Sequence, residues 1–292
     1  MTTPSNQPWT VLRLINWTRD YLAKANLQEP RLLAEMLLAH VLGCQRIELY
    51  TRFDYQPAAS QLDQFRSLVQ QAKQHQPVAY LVGSKEFYSL SFKVRPAVLI
   101  PRPETELLVS EAIAHLRQLG RPGKMWDVCT GSGCIAIAAA WQVKDATVLA
   151  SDLSAEALAV AQENAARHKV DLRIRTRQAD MLSLPADCAD MVPFDVITAN
   201  PPYIAIGQDI AEEVKSEPEM ALYGGKDGMK FIQPLVASAP EMLASGGMLA
   251  MEFGQGMADA VRDLIVAQGQ FAEPKILRDQ QGIERAAVAI RR

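Results

Sequence analysis

Between Trp9 and Gln74 the apolar residues return every three to four positions: Val11, Leu14, Ile15 and Leu22, then Leu33, Met36, Leu37 and Val41, then Leu62, Phe65 and Val69. That spacing is the period of an α-helix with one buried stripe, so it predicts three or more amphipathic helices. Pro30 and Pro57 fall where such helices start, the place at which a missing N–H costs least. No β-rich run interrupts the pattern, and residues 1–84 are expected to form a small all-α bundle.

The pattern changes at Lys85. KEFYSLSFKV (85–94) is short, aromatic and partly alternating around Ser89, which predicts a β-hairpin, and residues 85–102 are expected to link two domains. A helix is predicted over about 104–119, with Glu104 and Glu106 in its first turn to suit the helix dipole. From Lys124 onward short apolar runs alternate with helical stretches: MWDVC, a helix from Gly133, TVLASD, a helix from Ser154, DLRIRT, FDVITAN, a helix from Gly228, GMLAMEF, a helix from Gly256, and AAVAI. This alternation predicts an α/β, Rossmann-like domain over 103–292, its mostly parallel sheet covered by helices on both faces. The last two runs are expected to pair as a hairpin, so that an antiparallel strand ends the sheet.

Composition adds exclusions. With 292 residues, 49% of them hydrophobic and 22% charged, the chain is long and apolar enough for two domains with cores, and disordered or fibrous readings drop out. The formal charge of −3 gives no net positive field to gather nucleic acid, although a local basic groove stays open. Cys44, Cys129, Cys134 and Cys188 form no C-x-x-C pair and have no neighbouring His ligands, against a zinc site or a disulfide scaffold. MTTPSNQPWT lacks the basic start and apolar run of a leader, and no stretch approaches the roughly 20 apolar residues of a membrane span. The expectation is a cytoplasmic, monomeric protein without a metal.

The chemistry concentrates in three places. Asp127-Val128-Cys129-Thr130-Gly131-Ser132-Gly133 closes a predicted strand and opens a helix, so glycines at 131 and 133 bring backbone N–H groups close to a ligand. Asp152 closes the next strand, 21 positions after Gly131, where a carboxylate can accept both hydroxyls of a ribose, while Ser154 is the better-placed helix cap. These two features alone fit either NAD or S-adenosylmethionine, because Gly131 to Ala136 also reads G-x-G-x-x-A. Asn200-Pro201-Pro202-Tyr203 follows FDVITA at the carboxyl end of the fourth strand and decides between them. Its prolines stiffen a turn in which the Asn200 oxygen and the Pro201 carbonyl can accept the two hydrogens of a planar NH2 group, with Tyr203 against the plane. A poor nitrogen nucleophile needs that treatment beside a methyl donor.

Asp127 to Gly133, Asp152 and Asn200 to Tyr203, in this order, resemble a class I S-adenosylmethionine-dependent methyltransferase acting on nitrogen. More narrowly, PVAYLVGSKEFYSLSFKVRPAVLIPRPETE (77–106), EPEMALYGGKDG (217–228), MEFGQGM (251–257) and DQQGIER (279–285) resemble the bacterial release-factor glutamine methyltransferases, the PrmC/HemK family. Ile100 to Glu106 discriminates best, because the related ribosomal-protein glutamine methyltransferase differs there. The resemblance implies transfer of a methyl group from S-adenosyl-L-methionine to the side-chain amide of the glutamine in the Gly-Gly-Gln loop of class-1 peptide chain release factors. It implies a substrate-recognising helical N-terminal domain. It also implies that Cys129, Thr130, Gly131, Ser132 and Gly133 face the methionine part of the cofactor, Asp152 its ribose, and Asp180 and Met181 its adenine. Asn200, Pro201, Pro202 and Tyr203 would hold the glutamine, with Asn200 also reaching the cofactor. The family usually has glycine where this chain has Cys129, whose side chain is expected to fit with a negative φ, and an apolar or aromatic residue at Met181.

Two other activities share parts of the pattern. A nucleic-acid amino methyltransferase, acting on adenine N6 or guanine N2, suits the same Asn-Pro-Pro-Tyr turn. An NAD-dependent oxidoreductase suits the glycines, and direct nucleic-acid binding is otherwise not expected. His40, His75, His115 and His168 are read as packing or solvated residues, and Arg173, Arg175 and Arg177 as an exposed strand face. Lys85, Lys93, Arg95 and Arg102 cluster near the place where a protein substrate would dock.

Overall fold

The computed structural model describes residues 8–292, and the stretch 1–7, on which the absence of a leader was read, lies outside them. The described residues up to Gly83, joined by Ala211–Ser216, form one compact unit, and Ser84–Ile210 with Glu217–Arg292 form a second.

The first unit is helical: α1 (Val11–Ala23), α2 (Pro30–Leu42), α3 (Ala59–Lys73) and the short α4 (Val78–Val82). Thr10 caps α1, its hydroxyl accepting the Arg13 N–H, and Pro30 occupies the first turn of α2. The predicted stripes meet in one core, where Val11, Leu14, Ile15, Leu22, Leu37, Phe65 and Val69 are all buried. Ala211–Ser216 belongs to this unit, with Glu213 2.7 Å from the His75 ring.

The second unit opens with a hairpin of β1 (Ser84–Phe87) and β2 (Leu90–Lys93). Tyr88 and Ser89 at its tip both take positive φ, as the tight twist-matched turn requires. There follow α5 (Glu106–Gln118), β3 (Lys124–Val128), α6 (Cys134–Gln142), β4 (Thr147–Asp152), α7 (Ala155–Arg167), β5 (Ile174–Gln178), β6 (Phe194–Ala199), α8 (Ile232–Met242), β7 (Leu243–Glu252), α9 (Ala258–Gln268), β8 (Lys275–Arg278) and β9 (Glu284–Ile290). The seven-stranded sheet runs β5-β4-β3-β6-β7-β9-β8, parallel from β5 to β7, with β9 antiparallel to both its neighbours. The two runs expected to pair, β7 and β9, do pair antiparallel, but α9 and β8 intervene in the chain, so the terminal hairpin joins β8 to β9 and β8 ends the sheet. KILR, four residues with two apolar positions side by side between two charged ones, carries too weak a pattern to announce the edge strand.

Strand residues divide between two cores by the period of two. Met125, Val196, Met248 and Ala250 face α5, α6 and α7, whereas Trp126, Ile197, Leu249 and Met251 face α8 and α9. The hairpin packs Phe87, Leu90 and Phe92 into the first of these cores. Adjacent strands β3 and β6 start their crossovers in opposite directions, to β4 on one side and β7 on the other. The carboxyl ends at this divergence are where an open α/β sheet leaves a crevice.

Candidate active site

That crevice is a cavity of about 310 Å3 whose lining includes Cys129, Thr130, Gly131, Ser132, Asp152, Asp180, Met181, Asn200 and Pro202. The sequence-predicted residues are thus largely brought together. Gly133, Pro201 and Tyr203 do not line it: Gly133 caps α6, and the Tyr203 side chain is bound elsewhere.

The floor is set by buried polar groups. Asp127, fully buried on β3, accepts the Thr130 hydroxyl at 2.6 Å and the Thr198 hydroxyl at 2.7 Å, which fixes the turn after β3 and ties it to β6. Burial pushes its carboxyl up to about 6, against the two hydroxyl donors that lower it. Gly133 takes φ +80°, and a side chain there would lie 2.8 Å from Ile137, so α6 begins close against its neighbours only because the residue is glycine.

Cys129 departs from expectation. Its φ is +56°, in the left-handed region that favours glycine, rather than negative. The tight turn from β3 into the glycine loop demands that conformation whatever residue stands there. The thiol approaches the Met181 sulfur at 3.8 Å, and burial together with the carboxylates of Asp152, Asp127 and Asp180 pushes its pKa far up, so it stays a neutral, inert group. Met181 likewise has positive φ, at +47°.

Asp152 Oδ2 accepts the Gly131 N–H and Oδ1 the Ser154 N–H, both at 2.9 Å. Ser154 is the cap of α7, its hydroxyl accepting the Ala157 N–H at 3.1 Å. A carboxylate offers about four acceptor sites. Two therefore remain for a ligand. Burial raises the Asp152 pKa and the backbone donors pull it back.

At the other side of the cavity, Asn200 follows β6 directly and donates its Nδ2 to the Thr105 hydroxyl oxygen at 3.1 Å. Thr105 donates to Glu252 Oε2 at 2.6 Å, and Tyr203 donates its hydroxyl to Glu252 Oε1 at 2.7 Å. Burial raises the Glu252 pKa, and burial beside that carboxylate raises the Tyr203 phenol well above its ordinary value. The Asn-Pro-Pro-Tyr backbone is clasped from outside by the loop 224–228. Side chains at Gly224 and Gly228 would lie 2.5 Å from the Pro202 oxygen and 2.3 Å from the Tyr203 oxygen.

Glu217 and Glu252 stand in the sequence motifs without a role of their own, and Arg102 and Glu106 take partners beyond those the sequence suggests. Glu217, buried, accepts the Ile100 N–H at 2.9 Å and pairs with Arg102. Glu106 accepts the Tyr88 N–H at the hairpin tip at 2.8 Å. Asn164 on α7, wholly buried, joins both backbone groups of Lys93 to the Ser132 carbonyl. No local pattern in the sequence signals that bridge.

The basic residues singled out are mostly committed. Lys93 and Arg95 both pair with Glu163, Arg175 with Asp190 and Arg177 with Asp187, while Arg173 donates to backbone carbonyls. His168 meets the Ser91 carbonyl at 2.9 Å, and His40 is exposed. Among the described residues no helix is long and apolar enough to cross a membrane.

Residues 13–83 match the PrmC N-terminal domain and residues 104–260 the Methyltransferase small domain. The release factor glutamine methyltransferase of Rhodopirellula baltica is 44% identical over 241 residues, 80% of this chain and 80% of its own length. That of Neisseria gonorrhoeae is 38% identical over 261 residues, 89% of this chain and 93% of its own. A methyltransferase from Pyrococcus furiosus superposes with a TM-score of 0.51 at 17% identity, over 77% of this chain and 96% of its own, a likeness of fold alone.

Proposed function

The chain belongs to the release factor glutamine methyltransferase family, and from that premise we propose how and on what it acts. It is a methyltransferase that uses S-adenosyl-L-methionine and modifies N5 of the glutamine in the Gly-Gly-Gln loop of class-1 peptide chain release factors, with the helical N-terminal unit helping to recognise that protein. The observation that carries this reading is that Asn200 and Pro202 line the same cavity as Gly131 and Asp152.

The cavity suits the cofactor. Asp152 keeps acceptor sites for two ribose hydroxyls beyond the backbone groups it binds, and Asp180 with Met181 offers a polar edge and an apolar face for an adenine. Gly131 lines the cavity with no side chain, and a Cβ there would meet no protein atom within 4 Å. Bound S-adenosyl-L-methionine supplies a methyl group on a sulfonium sulfur. The protein's own part is to hold the acceptor nitrogen. The Asn200 oxygen accepts one of its N–H groups, which enriches the nitrogen in electrons and orients it for attack, while the Pro201 carbonyl, expected from the sequence to take the other, lies outside the cavity lining. No strong base is needed before transfer, because an amide nitrogen attacks with its N–H bonds intact; the methylated nitrogen then carries a positive charge and gives up one of its two hydrogens to water, leaving the neutral N-methyl amide.

The nucleic-acid alternative draws no support from Lys93, Arg95, Arg102, Arg175 and Arg177, which are paired with Glu163, Glu217, Asp190 and Asp187. The NAD alternative rests on the glycines alone. Incubation with tritiated S-adenosyl-L-methionine and, separately, unmodified release factor, transfer RNA and duplex DNA tests the proposal. Label is expected in the release factor only, and label in either nucleic acid would overturn it.

A further inference from the structure

Glu252 is a buried carboxylate, 1% exposed, at the carboxyl end of β7, and among the described residues it forms no ion pair. Both hydroxyls that reach it, those of Thr105 and Tyr203, donate to it, so each carboxyl oxygen serves as an acceptor. A threonine hydroxyl has a single hydrogen. Once that hydrogen is given to Glu252, Oγ1 can only accept from what faces it, and what faces it at 3.1 Å is the Asn200 amide. Asn200 is thereby obliged to present its NH2 to Thr105 and its Oδ1 elsewhere.

We propose that Glu252 is the positioning residue of this site: acting through Thr105 it fixes the orientation of the Asn200 amide, so that the cavity meets a carbonyl oxygen and admits acceptors that offer N–H. The inference rests on the reading that Asn200 holds the acceptor nitrogen. Without that acceptor, Thr105 could turn its hydrogen toward Asn200, the amide could flip, and an NH2 group would confront the NH2 of the acceptor. Donor would then face donor. The chain of hydrogen bonds ending on the Glu252 carboxyl also polarises the amide and strengthens Oδ1 as an acceptor. Tyr203 completes the device by occupying the second carboxylate oxygen.

Two readouts test this, one of them independent of activity. In isotope-labelled wild-type protein the Asn200 NH2 protons are expected to show nuclear Overhauser contacts to the Thr105 methyl, which weaken in Glu252→Gln; their absence from the wild type would overturn the inference. In methyl transfer to release factor, Thr105→Val and Glu252→Gln are each expected to lower kcat about 10- to 100-fold, as for loss of a positioned donor or acceptor. Cofactor affinity should stay unchanged, Thr105→Ser should restore the rate, and the double variant should be no slower than Thr105→Val, since both act through one relay. Unchanged kcat in either single variant, or additive losses in the double variant, would overturn the proposal. A wild type that methylates no release factor would instead refute the functional reading, while the nuclear Overhauser contacts still judge the orientation of Asn200.

Discussion

Asp152 Oδ2 accepts the N–H of Gly131 at 2.9 Å, so the tip of β4 and the glycine turn after β3 are held as one piece. The carboxylate both shapes the turn and, in the proposed function, receives the cofactor's ribose. Asp152→Ala should weaken S-adenosyl-L-methionine binding by about 10- to 100-fold in titration calorimetry, the loss expected for hydrogen bonds to a charged acceptor. Binding within twofold of the wild type would contradict this role.

Cys129 holds a left-handed backbone conformation at φ +56° that a side chain disfavours by about 1–2 kcal/mol. Glycine adopts it freely but loses more chain entropy on folding, roughly 0.5–1 kcal/mol. Cys129→Gly should therefore raise stability slightly, by up to about 1 kcal/mol, and the β-branched Cys129→Val should lower it by more. Urea midpoints that fall for glycine, or rise for valine, would show that the turn is not the constraint.

Asp127 has a folded-state pKa of about 6, above its ordinary value of 3.8. The native state therefore holds this proton where the unfolded chain has lost it, and stability declines as pH rises between about 4 and 6. The decline attributable to this residue is of the order of 2–3 kcal/mol, at 1.36 kcal/mol per pH unit. Asp127→Asn should flatten the stability profile in that window, measured by urea unfolding at pH 4.5 and pH 7. An unaltered profile would refute the assignment.

Gly224 and Asn200 separate placement from chemistry. A methyl group at Gly224 would press on the Pro202 oxygen and on Tyr203 Cα at 2.7 Å, shifting the turn that carries Asn200. Gly224→Ala should lose roughly 100-fold in kcat, the scale on which a displacement of about 1 Å at a reacting centre acts. Asn200→Ala should do the same with the turn undisturbed, and in both variants cofactor affinity should survive. Calorimetry showing abolished cofactor binding in a folded Asn200→Ala protein would make its assigned role wrong.

The legible parts of this molecule were those written locally. Alternating apolar runs announced β3, β4, β6 and β7, and the glycines of 131 and 133 and the prolines of 201 and 202 announced their turns, because each depends on neighbours in sequence. The relay from Asn200 to Glu252 was not legible, since Thr105 and Glu252 stand 147 positions apart and only the sheet order brings them together. The same holds for Asn164, whose amide joins the hairpin to the glycine turn. Cys129 misled because its residue type argues against the conformation that its position in the turn requires. KILR was too short, with only two apolar residues and no period-two alternation, to stand out as β8.

The central claim is that the acceptor is one glutamine side chain of a release factor. The direct measurement is peptide mass spectrometry of purified, unmodified release factor after incubation with this protein and S-adenosyl-L-methionine, beside a substrate whose Gly-Gly-Gln glutamine is changed to alanine. One added methyl on that glutamine, absent from the alanine control, is the predicted result. Methyl on another residue, or equal methylation of the control, would contradict it.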